Sequence, residues 1–199
     1  MPVLALEGAS AVGKSTTARA LADALSAEAV LEDDARFTGP YLERHLALWR
    51  WVAERSRAGR TVVLDGDPFK ALWFGWVYPG EGWTPLDALE AFYRPLLMRG
   101  EVAFPAGYAL LEADEAALRT RRAGDPTRRR RRFEKHLRLV EPLRRYFAAL
   151  EALSPGRVLF LRAESVAESV AALRGFAGRV REPVDSDVGL FDGLIAWLR

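Results

Sequence analysis

A parallel β-sheet between two layers of helices is the fold class this 199-residue sequence predicts. Three observations predict it. Five short apolar runs alternate with longer stretches of helical periodicity, the pattern of repeated strand–helix–strand units. The first run leads through a glycine-bearing turn straight into a helix. Three of the four later runs end in acidic residues, and in such sheets ligands lie at the carboxyl ends of the strands.

Along the chain, the first strand is Val3-Leu4-Ala5-Leu6, and the helix after the turn is legible from Ala18 to Leu25. Ala29-Val30-Leu31 is the second strand, ending at Glu32-Asp33-Asp34. The spacing predicts a helix from Leu42 to Arg57, closed by Gly59. Thr61-Val62-Val63-Leu64 is the third strand, ending at Asp65-Gly66-Asp67-Pro68. An aromatic segment, Phe69 to Tyr78, reads equally as core and as the wall of a pocket for a flat ligand. Helical patterns follow at Pro85 to Met98, Glu115 to Arg122, Arg128 to Leu153 and Val166 to Phe176. Gly107 to Leu111 and Arg157 to Leu161 supply the last two strands. The final stretch, Asp187 to Arg199, reads as an amphipathic helix whose Leu190, Leu194, Trp197 and Leu198 pack on a partner or on its own core. Asp114 opens a helix and is expected to cap it. Neither a repeat nor a long linker is visible, so residues 1–199 are expected to form one domain, as monomer or homodimer.

Composition narrows the chemistry. Half of the residues are hydrophobic and 28% are charged, as in an ordinary globular domain. The absence of cysteine excludes disulfides, thiolate nucleophiles and Cys-ligated zinc. Two histidines, His45 and His136, are too few for a His-rich metal site, and both are expected to be structural or on the surface. The longest charge-free apolar stretches, 71–80 and 102–111, fall well short of the roughly 20 residues a bilayer requires. Met1 to Glu7 lacks the basic start of a secretory leader, and a cytoplasmic location is expected.

The strongest motif is Gly8-Ala9-Ser10-Ala11-Val12-Gly13-Lys14-Ser15, followed by Thr16 and Thr17. It is G-x-x-x-x-G-K-S in its strand–turn–helix setting. Glycines let the backbone wrap phosphate with amide N–H groups pointing inward, and the following helix presents its positive end to the same anion. Lys14 is expected to reach the outer phosphates and the Ser15 hydroxyl to face Mg²⁺. Only three of the 29 basic residues are lysines, Lys14, Lys70 and Lys135, so a lysine at this position escapes the chain's preference for arginine. No Thr-Lys-x-Asp or Asn-Lys-x-Asp segment is present to read guanine, which favours ATP.

Positive charge is concentrated. Arg119 to Arg145 holds eleven arginines and one lysine against three acidic residues, an excess of nine, and the remainder sums to −7. Such a segment suits a phosphorylated ligand. Near-balanced overall charge and the absence of a recognisable module argue against a nucleic-acid partner. Gly124-Asp125-Pro126 interrupts the arginine-rich stretch as a hinge would.

On these residues the sequence resembles small kinases of the nucleoside and nucleotide kinase superfamily. Glu7-Gly8 running to Gly13-Lys14-Ser15-Thr16 resembles the loop of thymidylate kinases and deoxynucleoside kinases. Val63-Leu64-Asp65 resembles their strand ending in an acidic–arginine pair, with Gly66 where they carry the arginine. Leu118 to Arg122, then Arg128 to Glu134, resembles their arginine-bearing lid, here near 119–133, followed by a long helix. Glu32-Asp33-Asp34 stands where deoxynucleoside kinases carry an acidic base. Chloramphenicol phosphotransferase and other drug kinases share this skeleton.

The resemblance implies a three-layer P-loop fold with a five-stranded sheet in the order 2-3-1-4-5, which sets Asp65 beside the phosphate loop. It also implies transfer of the γ-phosphoryl group of ATP to a hydroxyl or phosphate of a small molecule, with a nucleoside or nucleotide preferred over an antibiotic or other metabolite. The expected roles are Gly8 to Thr16 on the phosphates, Ser15 and Asp65 on Mg²⁺, Asp34 as base with Asp33 and Asp67 as rivals, and Arg119, Arg122 and Arg128 closing from the lid.

Overall fold

The computed structural model describes residues 2–32, 34–125, 133–180 and 187–199. Its centre is the strand β1 (Val3–Gly8), all six residues of which are buried. A strand buried on both faces has no polar side to alternate with, which is why it reads as an apolar run. Around it lie β2 (Glu28–Val30), β3 (Val62–Asp65), β4 (Gly107–Glu112) and β5 (Val158–Arg162). The sheet is five-stranded, in the order β2-β3-β1-β4-β5. Every pairing is parallel, so all carboxyl ends share one edge. Register sets Leu6 opposite Asp65 and Gly8 opposite Leu111 at that edge.

Helices cover both faces. On one side α1 (Lys14–Leu25), α5 (Glu115–Ala123) and α8 (Val166–Ala177) bury Ala18, Leu21, Leu118, Leu173 and Phe176 against Leu4, Leu6, Val63, Ala109 and Leu111. On the other side lie α2 (Tyr41–Arg57), α3 (Lys70–Val77), α4 (Leu86–Met98), α7 (Val140–Leu153) and α9 (Val188–Leu198). Their core is aromatic, with Phe69, Trp73, Tyr93, Tyr108, Tyr146, Phe147 and Phe191 fully buried. Each such side chain contributes about 1.5–3 kcal/mol of transfer free energy. The three-layer arrangement and the strand order are those expected.

Two elements differ from expectation, and for a third the structure selects one of the two expected packings. The aromatic segment is largely the helix α3, whose Ala71, Leu72, Trp73 and Phe74 are all buried. A helix enclosed on every side shows no amphipathic period, so its sequence does not announce it. The single helix expected up to Leu153 begins, among the described residues, as α6 (Phe133–Leu137), and α7 starts afresh at Val140. Pro142 explains the break: in the first turn of α7 it is tolerated, but a helix continuous through Arg138 would lose a hydrogen bond and meet the proline ring. The last helix packs on its own chain, with Phe191, Leu194, Ile195 and Leu198 buried against α3, α4 and α7. Asp187 anchors it, accepting from Arg157 Nη1 at 3.2 Å and from the Phe104 amide at 2.6 Å. No helix among the described residues is long and apolar enough to cross a membrane.

Candidate active site

The turn after β1 is built from backbone. Gly8 has φ 147°, and a Cβ there would lie 2.4 Å from the Leu111 carbonyl oxygen. Only glycine lets β1 run this close to β4 while the chain turns away. Ala11 and Gly13 also have positive φ, 72° and 105°. Left-handed residues alternating along a short loop turn successive N–H groups toward one concavity, an anion-binding nest. Gly13 begins α1 without a side-chain cap, whereas Asp114 caps α5 through the Ala117 amide at 2.8 Å and Ser165 caps α8 through the Glu168 amide. The uncapped end of α1 suits an external anion. Lys14 crosses the loop, donating to the Gly8 carbonyl at 2.8 Å, with Glu7 Oε1 3.6 Å away. Glu7 is 1% exposed and binds the strand ends together, accepting from the amides of Gly8 (2.9 Å) and Asp67 (3.0 Å).

The loop opens on a cleft of about 560 Å³, whose walls include residues 7–16, Glu32, Asp65, Lys70, Trp73, Phe74 and His136. Beside it, a cavity of about 50 Å³ lies under α2, lined by Phe37, Tyr41, Arg44, His45 and Leu48. Glu32, Asp65 and Lys70 border both spaces.

Asp65 stands at the end of β3 beside the loop. Burial raises its carboxyl above the ordinary range, opposed by Lys14 and by a hydrogen bond from Ser15. Its Oδ1 is buried without a hydrogen-bond partner. A buried carboxylate oxygen left unpaired is costly unless something binds it. An orphan oxygen next to a hydroxyl, facing a phosphate loop, fits Mg²⁺ brought in on nucleotide phosphates, an ion that keeps most of its waters and takes one or two protein oxygens. Among the described residues, no three His, Cys, Asp or Glu side chains converge on a metal position.

The acidic residues after β2 and β3 separate. Asp34 lines the cavity under α2 but not the cleft, and is held by Arg36, with Nη2 at 2.7 Å and Nε at 3.0 Å. That hydrogen bonding lowers its carboxyl below the ordinary range. Glu32, two residues earlier, is the carboxylate that faces the cleft, accepting from Lys70 Nζ at 2.6 Å. Burial works against its charge, but Lys70 and Lys14 prevail and bring its pKa to about 2. Asp67 is 2% exposed and works as an internal anchor. It accepts from the Phe69 amide at 2.8 Å, from Trp73 Nε1 at 3.0 Å and from the Tyr108 hydroxyl at 3.3 Å. Burial pushes its carboxyl up to about 7. Asp33 lies outside the described residues.

The arginines also sort by helical phase. Arg119 and Arg122 both pair with Glu134, at 2.8 and 3.3 Å, on the outer side of α5 and α6 and away from the cleft walls. Arg121 turns the other way. Its guanidinium donates to the Val12 carbonyl in the loop at 3.1 Å and to the carbonyls of Ala163 and Glu164 after β5. Arg128 lies outside the described residues. Arg121 and His136 are thus residues at the loop and cleft that the sequence did not single out, while Glu32 and Lys70 lay inside the acidic and aromatic segments expected at the site without being picked out by themselves. Lys70 carries one signal, as one of three lysines, but Arg121 is indistinguishable within its run.

No protein-family model and no curated protein matches this chain. Solved structures do. A deoxyadenosine kinase from M. mycoides with dATP bound superposes with a TM-score of 0.62 at 12% identity, covering 89% of this chain and all of that one. The same kinase with dCMP and a flexible dCDP bound gives 0.60 at 13% identity, covering 88% and 98%. The fold is that of the P-loop nucleoside kinases. In this nucleoside kinase-like fold the phosphate loop, Asp65 and Glu32 all stand at the carboxyl edge of the sheet, where such folds place ligands.

Proposed function

We propose that the chain is an ATP-dependent phosphotransferase acting on a hydroxyl of a small molecule of the nucleoside or nucleotide class. One observation carries this reading: the Glu32–Lys70 pair and Asp65 form a wall common to the phosphate cleft and the cavity under α2. A hydroxyl held in the second space is brought against a phosphoryl group held in the first. The structural likeness to deoxyadenosine kinases bound to nucleotides supports it.

The chemistry asks for alignment and charge neutralisation, with little covalent work from the protein. The loop amides and Lys14 hold the phosphates. Ser15 and Asp65 would hold Mg²⁺, which supplies charge neutralisation on the phosphate oxygens. Glu32 accepts the acceptor's O–H and aligns its oxygen; with a pKa near 2 it takes the proton only as the bond to phosphorus forms. The acceptor oxygen bonds the γ-phosphorus, the bond to the β-bridging oxygen breaks, and the proton leaves through Glu32 to solvent. Lys70 offsets charge on the group in transit.

A smaller acceptor, such as a non-nucleoside metabolite, is the second reading, favoured by the cavity under α2. At about 50 Å³ it is well below the roughly 150 Å³ that accommodates a benzene ring. An ATP-consumption screen over nucleosides, nucleotides, aminoglycosides and phenicols, and small polyols decides between them. Turnover with a nucleoside or nucleotide supports the first reading, and turnover only with the others supports the second. ATP binding with no acceptor-dependent turnover would overturn both.

A further inference from the structure

His136 belongs to no strand end and no phosphate motif, yet it lines the cleft across from the loop. Its position is fixed by its neighbours. Phe133, one turn earlier on α6, is 1% exposed. The Tyr78 hydroxyl donates to the Lys135 carbonyl at 2.7 Å, Lys135 pairs with Glu81, and its ammonium lies 4.0 Å from the Tyr78 ring centroid. The imidazole is therefore held against the cleft from outside by α3 and the turn after it.

We propose that His136 is a third cationic contact, with Lys14 and Lys70, to phosphates bound in this cleft. The inference rests on the reading of the cleft as a phosphate site and assigns it a residue which that reading does not use. The imidazole faces Lys14 from the loop and Lys70 from α3. Opposing them are Glu32 after β2 and Glu7 at the end of β1. Arg19, Asp65 and Asp125 complete the charged groups of the cleft. Burial and then the two lysines hold the imidazole below its ordinary range, so at neutral pH it is uncharged. A polyphosphate lying among the three would offset the lysines' repulsion and favour the imidazolium. Histidine is the one side chain that takes up charge on such a change near neutrality.

The chain has only two histidines, so imidazole NMR reports on His136 almost in isolation. His45 serves as an internal reference. It is buried, donates from Nδ1 to the Tyr41 carbonyl at 2.7 Å, and burial holds its pKa down at about 4. The experiment titrates the full-length wild-type chain with and without ATP, follows both imidazoles, and measures ATP affinity at pH 6 and pH 8.5 for wild type, His136→Gln and Lys14→Ala. ATP is expected to raise the His136 titration midpoint by about one pH unit, equivalent to roughly tenfold tighter binding at the acid end. His136→Gln should weaken ATP binding by about threefold at pH 6, which lies part-way through the titration, and hardly at pH 8.5. ATP binding to wild type with an unmoved His136 midpoint, or an equal loss at both pH values, overturns the proposal and leaves the phosphate reading standing. Wild type that binds no ATP, or Lys14→Ala that binds it undiminished, overturns the phosphate reading and this proposal with it.

Discussion

Lys70 Nζ lies 2.6 Å from Glu32 Oε1, joining the first residues of α3 to the chain just past β2 across 38 positions of sequence. Burial works against the ammonium, but Glu7, Glu32 and Asp65 outweigh it and raise the Lys70 pKa. The ring systems of Phe74 and Trp73 lie 5.1 and 5.7 Å from the same ammonium. This cation therefore stays charged where the cleft and the cavity under α2 meet.

From that pairing, Glu32→Gln is expected to lower kcat by roughly 10²–10⁴, with a small effect on ATP affinity. Asp34→Asn should change kcat by less than about threefold, because its carboxylate is paired with Arg36 and borders the cavity under α2 without reaching the phosphate cleft. Steady-state kinetics with the acceptor found in the screen provides the check, and the reverse ranking would return the role to Asp34.

Asp65→Asn removes the charge from the orphan oxygen next to Ser15 while keeping its shape. The magnesium concentration needed for half-maximal turnover should rise about tenfold or more, while ATP affinity measured without Mg²⁺ changes little. A magnesium titration of turnover tests this, and an unchanged midpoint would remove Asp65 from the site.

At Gly8 the backbone admits no side chain. Gly8→Ala places a methyl group 2.4 Å from the Leu111 carbonyl and forces φ 147° on an L residue. The expected loss of stability is on the order of 3 kcal/mol or more, from backbone strain and overpacking together. Urea unfolding measures it. Gly39→Ala, where positive φ is the only penalty and nothing lies within 4 Å, should lose less.

Asp67 makes stability depend on pH. Its folded pKa, about 7, lies above the unfolded value near 3.8. The folded chain therefore binds more protons than the unfolded chain between those values, and stability contributed at low pH declines as pH rises from about 4 to about 7. Asp67→Asn should remove that contribution to the slope. It should also cost about 1–3 kcal/mol, because an amide cannot accept from both the Phe69 amide and Trp73 Nε1 as the two carboxylate oxygens do. Thermal denaturation from pH 4 to pH 8 reads both effects, and an unchanged slope in the variant would show that Asp67 does not titrate there.

Much of this protein was written locally. The apolar run Val3 to Leu6, the G-x-x-x-x-G-K-S turn and the alternation of strand with helix carry the layered fold and the phosphate loop, because hydrophobic period and glycine placement act within a few residues. The cap at Asp114 was legible for the same reason. What the tertiary structure alone decided is which of several equivalent side chains reaches the site. Glu32 and Asp34 differ by two positions, and Arg119, Arg121 and Arg122 by one helical turn, so nothing local ranks them. Packing does: Arg36 holds Asp34 at the cavity under α2, Lys70 holds Glu32 where cavity and cleft meet, and the phase of α5 sends Arg121 to the loop and its neighbours to Glu134. Helix α3 was equally hidden, since a segment buried on all sides carries no period to read.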